Sequence, residues 1–324
     1  MDLKLFIVFW CVMLSSSWPA LHFTSSQTFH ITVFEDLHFG EGENTEWGPS
    51  SDEKTLKLMQ YVLEVESPQL VVLNGDLITG ENVFKANATA YVDKIAGPVV
   101  EAGLPWASTY GNHDSDLQLT RRDIFVREKM RRQAQDGSVA SQDDWVDDAV
   151  VSWFEEARDQ LASTYGASLP SIAFFHIPVS ASGAFQPSAV NSRTAPGINV
   201  DGAFPGQSRD NGGQDERFMK ALLDTENLTA VFSGHQHGDD WCFKWDSQLS
   251  GMNLTGNGLD VCFSRHTGYG GYGNWKRGSR QILLSLDSLG RSIETWNRID
   301  DGSLAGLVTL NSTFGTDKYP LVTS

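Results

Sequence analysis

Five short runs of apolar, β-type residues each lead directly into Asp, His or Asn, and this coincidence constrains the chain more than any other feature. His30–Asp36 (HITVFED) opens Asp36-Leu37-His38. Gln69–Asn74 (QLVVLN) opens Gly75-Asp76. Pro105–Tyr110 opens Gly111-Asn112-His113-Asp114. Ser171–Phe175 opens His176, and Thr229–Ser233 opens Gly234-His235-Gln236-His237. Strands buried on both faces read as near-continuous apolar runs. Helical spacing fills the gaps: Ser51–Glu66, with Ser51 and Asp52 as N-cap residues, then Ala88–Glu101, Leu119–Arg132, Val146–Tyr165 and Gln214–Asp224. The alternation predicts βαβ units around a largely parallel sheet. Ligands of open α/β sheets bind beyond the carboxyl ends of the strands, where all five patches fall.

The last quarter changes character. Gly258–Phe263, Arg280–Leu286, Ser292–Ile299 and Leu304–Leu310 alternate apolar and polar residues between Gly, Asn and Asp turns. They read as antiparallel strands of a second sheet packed on the first. Ser180–Gly213, rich in Pro, Gly, Ser and Asn, and the acidic Asp136–Asp148 read as loops, functional or plain surface.

Composition narrows the class. The chain has 324 residues and 40% hydrophobic content, enough for one large core in a single domain spanning 27–324. A net charge of −17 repels nucleic-acid backbone, so sequence-independent DNA or RNA binding is excluded as an expectation. Lys4 precedes an apolar run, Leu5–Leu14, and three serines follow it. That is the layout of a secretory signal peptide over 1–20, and the run is about half of the ~20 residues a membrane span needs. No other stretch is apolar enough to span. Cys11 would leave with the signal, and Cys242 and Cys262 remain, an even count expected to pair in an oxidising compartment. Sequons at Asn87, Asn227, Asn253 and Asn311 favour glycosylation in a secreted chain.

The patches together carry chemistry that none carries alone. A lone Asp-x-His is rarely a metal site, and a lone Gly-Asn-His-Asp is usually a turn. His176 by itself would more often be a satisfied core histidine. Yet each patch follows a strand and offers a metal ligand. Imidazole suits zinc and iron, carboxylate suits harder ions, and an Asp between two ions can bridge them. Two such ions can clamp the attacking and leaving oxygens of a phosphoryl transfer. Arg121 and Arg122 could steer a phosphate or simply line a solvated helix. Arg265 and His266, in SRHTGYGGYG, could contact substrate or belong to a tight turn.

The order Asp-x-His, Gly-Asp, Gly-Asn-His-Asp, His, Gly-His-x-His resembles the calcineurin-like metallophosphoesterases. The stretches VVLNGDLITGEN, GNHDSDLQLTR, FFHIPV and GYGGYG look like its single-domain fungal and plant branch, often labelled purple-acid-phosphatase-like. The resemblance implies two packed mixed β-sheets flanked by helices, a four-layer α/β/β/α sandwich. It implies two divalent or trivalent ions (Fe, Zn or Mn), one on Asp36, His38 and His237 and the other on Asn112, His176 and His235, with Asp76 bridging. His113 would face the substrate, oriented by Asp114. The implied activity is that of a secreted phosphomonoesterase, with a phosphodiesterase on nucleotides or lipid headgroups, or an impaired binding homologue, as alternatives. Two departures stand out. Thr79 occupies the place of the tyrosine that colours true purple acid phosphatases, so no chromophore is expected. Ser115–Leu169 offers no strand where the family has one or two, which leaves the sheet shortened between Asp114 and His176.

Overall fold

The apolar runs become strands because both of their faces are buried. In the computed structural model, which describes residues 21–114, 120–132, 146–189, 193–201 and 213–320, β1 (Thr28–Phe34), β2 (Leu70–Asn74) and β3 (Trp106–Thr109) are parallel neighbours. Phe29, Ile31, Val33, Leu70 and Val72 join one core cluster, while Phe34, Val71 and Leu73 join another, as the two-residue period of a strand requires. The expected leader over 1–20 lies outside the described residues, and among those described no helix is long and apolar enough to cross a membrane.

Four layers result. Helices α1 (Trp47–Glu66) and α2 (Lys85–Glu101) set Leu58, Met59, Val62, Val92 and Ile95 on the outer face of the first sheet. The second sheet holds β4 (Ser171–Phe174), β5 (Leu228–Ser233), β6 (Cys242–Trp245) and β7 (Leu259–Phe263), in the order β4-β5-β7-β6. Helices α4 (Asp148–Tyr165) and α6 (Glu216–Leu223) cover it with Val150, Phe154, Phe218 and Leu222. Between the sheets, Ile31 and Val72 meet Phe174, Ala230 and Phe232. Each of the larger side chains, Ile31, Val72, Phe174 and Phe232, contributes about 1.5–3 kcal/mol on burial. Helix α3 (Arg121–Arg132) follows β3.

The structure corrects the reading of the last quarter. β8 (Gly278–Ser285), β9 (Ile293–Ile299) and β10 (Leu304–Leu310) are antiparallel, but they extend the first sheet beside β1, giving β10-β9-β8-β1-β2-β3. The segment read as Gly258–Phe263 is β7, parallel to β5. Alternation shows that one strand face is more buried than the other, and it does not say which sheet the strand joins. The short β6 was not anticipated. It pairs antiparallel with β7, with Cys242 directly opposite Cys262, and the two form the expected disulfide.

Two helices also differ from expectation. α1 begins four residues before Ser51, because the Thr45 hydroxyl accepts the Gly48 N–H at 3.1 Å and caps the earlier turn. Part of the expected loop Ser180–Gly213 is helix α5 (Ser180–Ala189). Its first turn is capped by Asp215, whose carboxylate accepts from Ser180 N and Oγ, both at 2.6 Å. A cap that comes from 35 residues downstream leaves no local signal. Among the described residues between Asp114 and Ser171 there is no strand.

Candidate dimetal site

Every expected ligand sits just past the carboxyl end of a parallel strand: Asp36 and His38 after β1, Asp76 after β2, Asn112 after β3, His176 after β4, His235 and His237 after β5. Four of them are in the left-handed region, Asp36 at φ 50°, His38 at 49°, Asp76 at 48° and His235 at 73°. Such angles cost a non-glycine residue of order 1–3 kcal/mol each and cluster where function fixes the backbone. Crowding is severe beneath them: a Cβ on Gly111 would stand 2.1 Å from Asp76 Oδ1, so only glycine fits there.

The side chains gather into two sets, Asp36–His38–His237 and Asp76–His176–His235, each with ligand atoms mutually within 4.8 Å. His38 Nε2 lies 3.2 Å from His237 Nε2 and 3.8 Å from Asp76 Oδ2. His176 Nε2 lies 3.0 Å from Asp76 Oδ2 and 3.8 Å from Asp36 Oδ1. Asp76 therefore reaches both sets. His235 Nδ1 is 3.1 Å from Asn112 Oδ1, which brings Asn112 to the second set.

Backbone carbonyls orient two of the rings. His176 Nδ1 donates to the Asn74 carbonyl at 2.9 Å, and His237 Nδ1 donates to the Tyr272 carbonyl at 3.0 Å. A carbonyl can only accept, so each ring donates from Nδ1 and turns its Nε2 toward carboxylate oxygens; against the opposing effect of burial, Asp76 and Asp36 push His176 up to about 10. Asp36 Oδ1 is buried without a hydrogen-bond partner among the described residues. Burial lowers His38 to about 3 and His235 to about 4, so these rings are neutral. Imidazole nitrogens and carboxylates converge in one buried pocket, and this donor set fits two metal ions. Burial works against the ionised Asp76, yet His176, with Nε2 at 3.0 Å, and His113 hold its carboxyl well below the usual range.

His113 stands apart. Its backbone N–H donates to Asp76 Oδ1 at 2.9 Å, and its ring centroid is 5.0 Å from that of His38. Its Nδ1 pairs with Glu81 Oε1 at 2.6 Å. That bond, against the opposing effect of burial, pushes His113 up to about 9, so it carries a proton at neutral pH. The side chain on the His113 ring is thus Glu81 and not the expected Asp114. Asp114 is fully buried and accepts three backbone N–H groups, from Gly111 and Leu77 at 2.7 Å and Ile78 at 3.1 Å, tying the Asp76 turn to the Asn112 turn.

The expected substrate contacts are placed differently. Arg265 is buried, with Nη1 on Asp240 at 2.7 Å and the rest of its guanidinium on the Lys276 carbonyl. Arg121 grips the Gly111 carbonyl from Nε and Nη2, bracing the ligand turn. His266 is buried with its ring 3.8 Å from that of His237, and neither nitrogen has a hydrogen-bond partner. Sequence reasoning missed Glu81, Thr79, whose hydroxyl lies 3.1 Å from His38 Nδ1, and Tyr272. The Gly-Glu pair shortly past Asp76 was the only signal for Glu81, and a solvated acid reads the same way.

A four-layer sandwich with two facing sets of Asp and His at the carboxyl ends of its strands is the architecture of the dimetal phosphoesterases. A family model described as calcineurin-like phosphoesterase matches residues 29–239, and the chain belongs to that family. Among its relatives, a probable inactive purple acid phosphatase 29 of Arabidopsis thaliana is 25% identical over 88% of this chain and 86% of its own length. Phosphatase DCR2 of Saccharomyces cerevisiae is 25% identical over 86% of this chain and 54% of its own. Among solved structures, purple acid phosphatase PPD1 from yellow lupin seeds aligns over 92% of this chain and 57% of its own at a TM-score of 0.53 and 12% identity, a likeness of fold.

Proposed function

We propose that the chain is a phosphomonoesterase of the secretory pathway, and the buried, strained ligand set in two groups is the observation that carries this reading. Asp36, His38 and His237 would hold one ion, Asn112, His176 and His235 the other, and Asp76 would lie between them. Bound there, the pair would lower the pKa of a water and polarise the phosphoryl oxygens for in-line attack. His113 supplies the remaining chemistry. With Nδ1 engaged by Glu81, its Nε2–H is the proton donor for the departing oxygen, at the open side of the cluster. The Cys242–Cys262 bridge supports an oxidising compartment, in keeping with the leader expected over 1–20, and the exposed sequon residues Asn87, Asn227 and Asn253 are compatible with glycans there, as is the half-buried Asn311. The phosphatase names among the relatives support monoesters over diesters.

A second reading, a binding homologue without turnover, is favoured by the relatives named as probable inactive enzymes. Metal analysis of the secreted protein, with rates on nitrophenyl phosphate and bis-nitrophenyl phosphate, separates the three. Two ions per chain and faster monoester cleavage support the proposal. Faster diester cleavage, or two ions without turnover, overturns it in favour of the respective alternative.

A further inference from the structure

Tyr272 meets His237 in three ways. Its ring stacks on the imidazole, with centroids 4.1 Å apart and planes at 11°. Its carbonyl accepts His237 Nδ1–H at 3.0 Å, and its hydroxyl oxygen accepts the His237 backbone N–H at 3.3 Å. The same hydroxyl donates to the carboxylate of Asp201, which also accepts the Gly238 N–H at 3.1 Å. One residue earlier, the Gly271 N–H donates to the carboxylate of Glu41. Gly271 stands at φ +71°, and a Cβ there would fall 2.4 Å from His237 Cε1 and 2.9 Å from His38 Cδ2. The loop backbone thus lies flush on both imidazoles of one ligand set.

The two sets differ in what holds them. His176 is fixed from below by the Asn74 carbonyl, the last residue of β2, so its orientation belongs to the sheet. His237 is fixed by a loop residue that is itself 50% exposed and is tied down through carboxylates. A sheet-held ligand moves only if the core opens, whereas a loop-held ligand can be released locally.

We propose that segment 268–273 is a clasp for one ion of the pair: Tyr272, pinned by Asp201, and Gly271, pinned by Glu41, fix the His237 ring so that its Nε2 faces Asp36 and His38, and loosening the clasp frees the ion of that set first. The inference rests on the dinuclear reading above. Groups that orient a ligating histidine through its other nitrogen typically matter by about 10–100-fold in metal affinity. Tyr272 acts through His237 and is a positioning residue.

The test uses the full chain loaded with zinc and exposed to graded chelator, with zinc per chain read at each step. Tyr272→Ala should give up one zinc at chelator levels about 10–100-fold below those that remove the second. Asp201→Asn and Tyr272→Phe keep the ring and the carbonyl, so each should show the same split with a smaller gap, and these variants answer the question if Tyr272→Ala fails to fold. Near-UV circular dichroism of the metal-free forms should match wild type. Simultaneous loss of both ions, or chelator resistance equal to wild type in Asp201→Asn and Tyr272→Phe, overturns the clasp while leaving two bound ions intact as support for the dinuclear reading. A wild-type chain that binds no zinc, iron or manganese overturns both.

Discussion

Replacing Glu81 with Gln should turn a modest defect into a steep pH-dependent one. The carboxylate lies 2.6 Å from His113 Nδ1 and is the main reason this histidine titrates near 9 and not at 6.5. The amide of the Glu81→Gln variant could still accept a hydrogen bond but would not hold the positive charge. Near pH 5.5 both proteins would keep His113 protonated, and their rates on an alkyl phosphate should agree within about twofold. Near pH 8.5, about three-quarters of the wild type but roughly a hundredth of the variant would be protonated, a deficit of about 80-fold. Both side chains are more than a third exposed, so solvent screens the pair, and halving the shift leaves about 15-fold. Cations in the neighbouring site lower both forms together, which moves the window toward neutral pH without narrowing it. Initial rates on an alkyl phosphate across this range, with metal content checked in each sample, measure the effect. Nitrophenyl phosphate, whose leaving group needs little protonation, should show a smaller deficit. A deficit that is uniform across pH, or one that follows metal loss, would refute the assignment of Glu81 to His113.

Other substitutions probe the rest of the site and its supports. Asp76→Ala should lose both ions together, since Asp76 Oδ2 is 3.0 Å from His176 Nε2 and 3.8 Å from His38 Nε2; a variant that retains two ions per chain shows that Asp76 does not bridge. Cys242→Ser should cost about 3 kcal/mol, the loop-closure value for a bridge of this span, read as a lower midpoint in denaturant than wild type. Burial raises Asp260 to about 6 despite its bond to Lys244, so the folded chain holds that proton more tightly than the unfolded one. Stability from this group is present at low pH and is lost as pH rises through about 6; Asp260→Asn should flatten the melting temperature between about pH 4.5 and 7, and an unchanged slope counts against it.

The ligands were legible because each follows a strand buried on both faces, and such a strand announces itself as an unbroken apolar run. QLVVLN ends at Asn74 because Gly75 must leave the sheet, and the next residue is Asp76. Contacts set by tertiary approach were not legible. Asp114 follows His113 directly, which made it the natural partner, but its carboxylate points back into three backbone N–H groups of two turns. Glu81 reaches His113 only because the short turn at Gly80–Asn82 is tied to it, with Gly80 N–H donating to the His113 carbonyl at 2.9 Å. Arg265 looked like a phosphate contact in its glycine-rich setting, and nothing local discloses that Asp240, 25 residues earlier, claims its charge.

The described residues between Asp114 and Ser171 bear on the site through its supports and not through its ligands. No ligand comes from them: every one is delivered by β1 to β5, and the first sheet simply ends at β3 while the second begins at β4. What a missing strand would leave behind is an open flank at β3 with buried polar groups in need of partners. That need is met by α3. Glu128, itself buried, accepts from the Ser108 hydroxyl and from the Tyr110 hydroxyl, both at 2.6 Å, and Arg127 pairs with Asp93 on α2. Arg121, on the same helix, reaches back to the Gly111 carbonyl beside Asn112. Helix α3 is therefore fastened both to β3 and to the ligand turn, and the position of Asn112 depends on it.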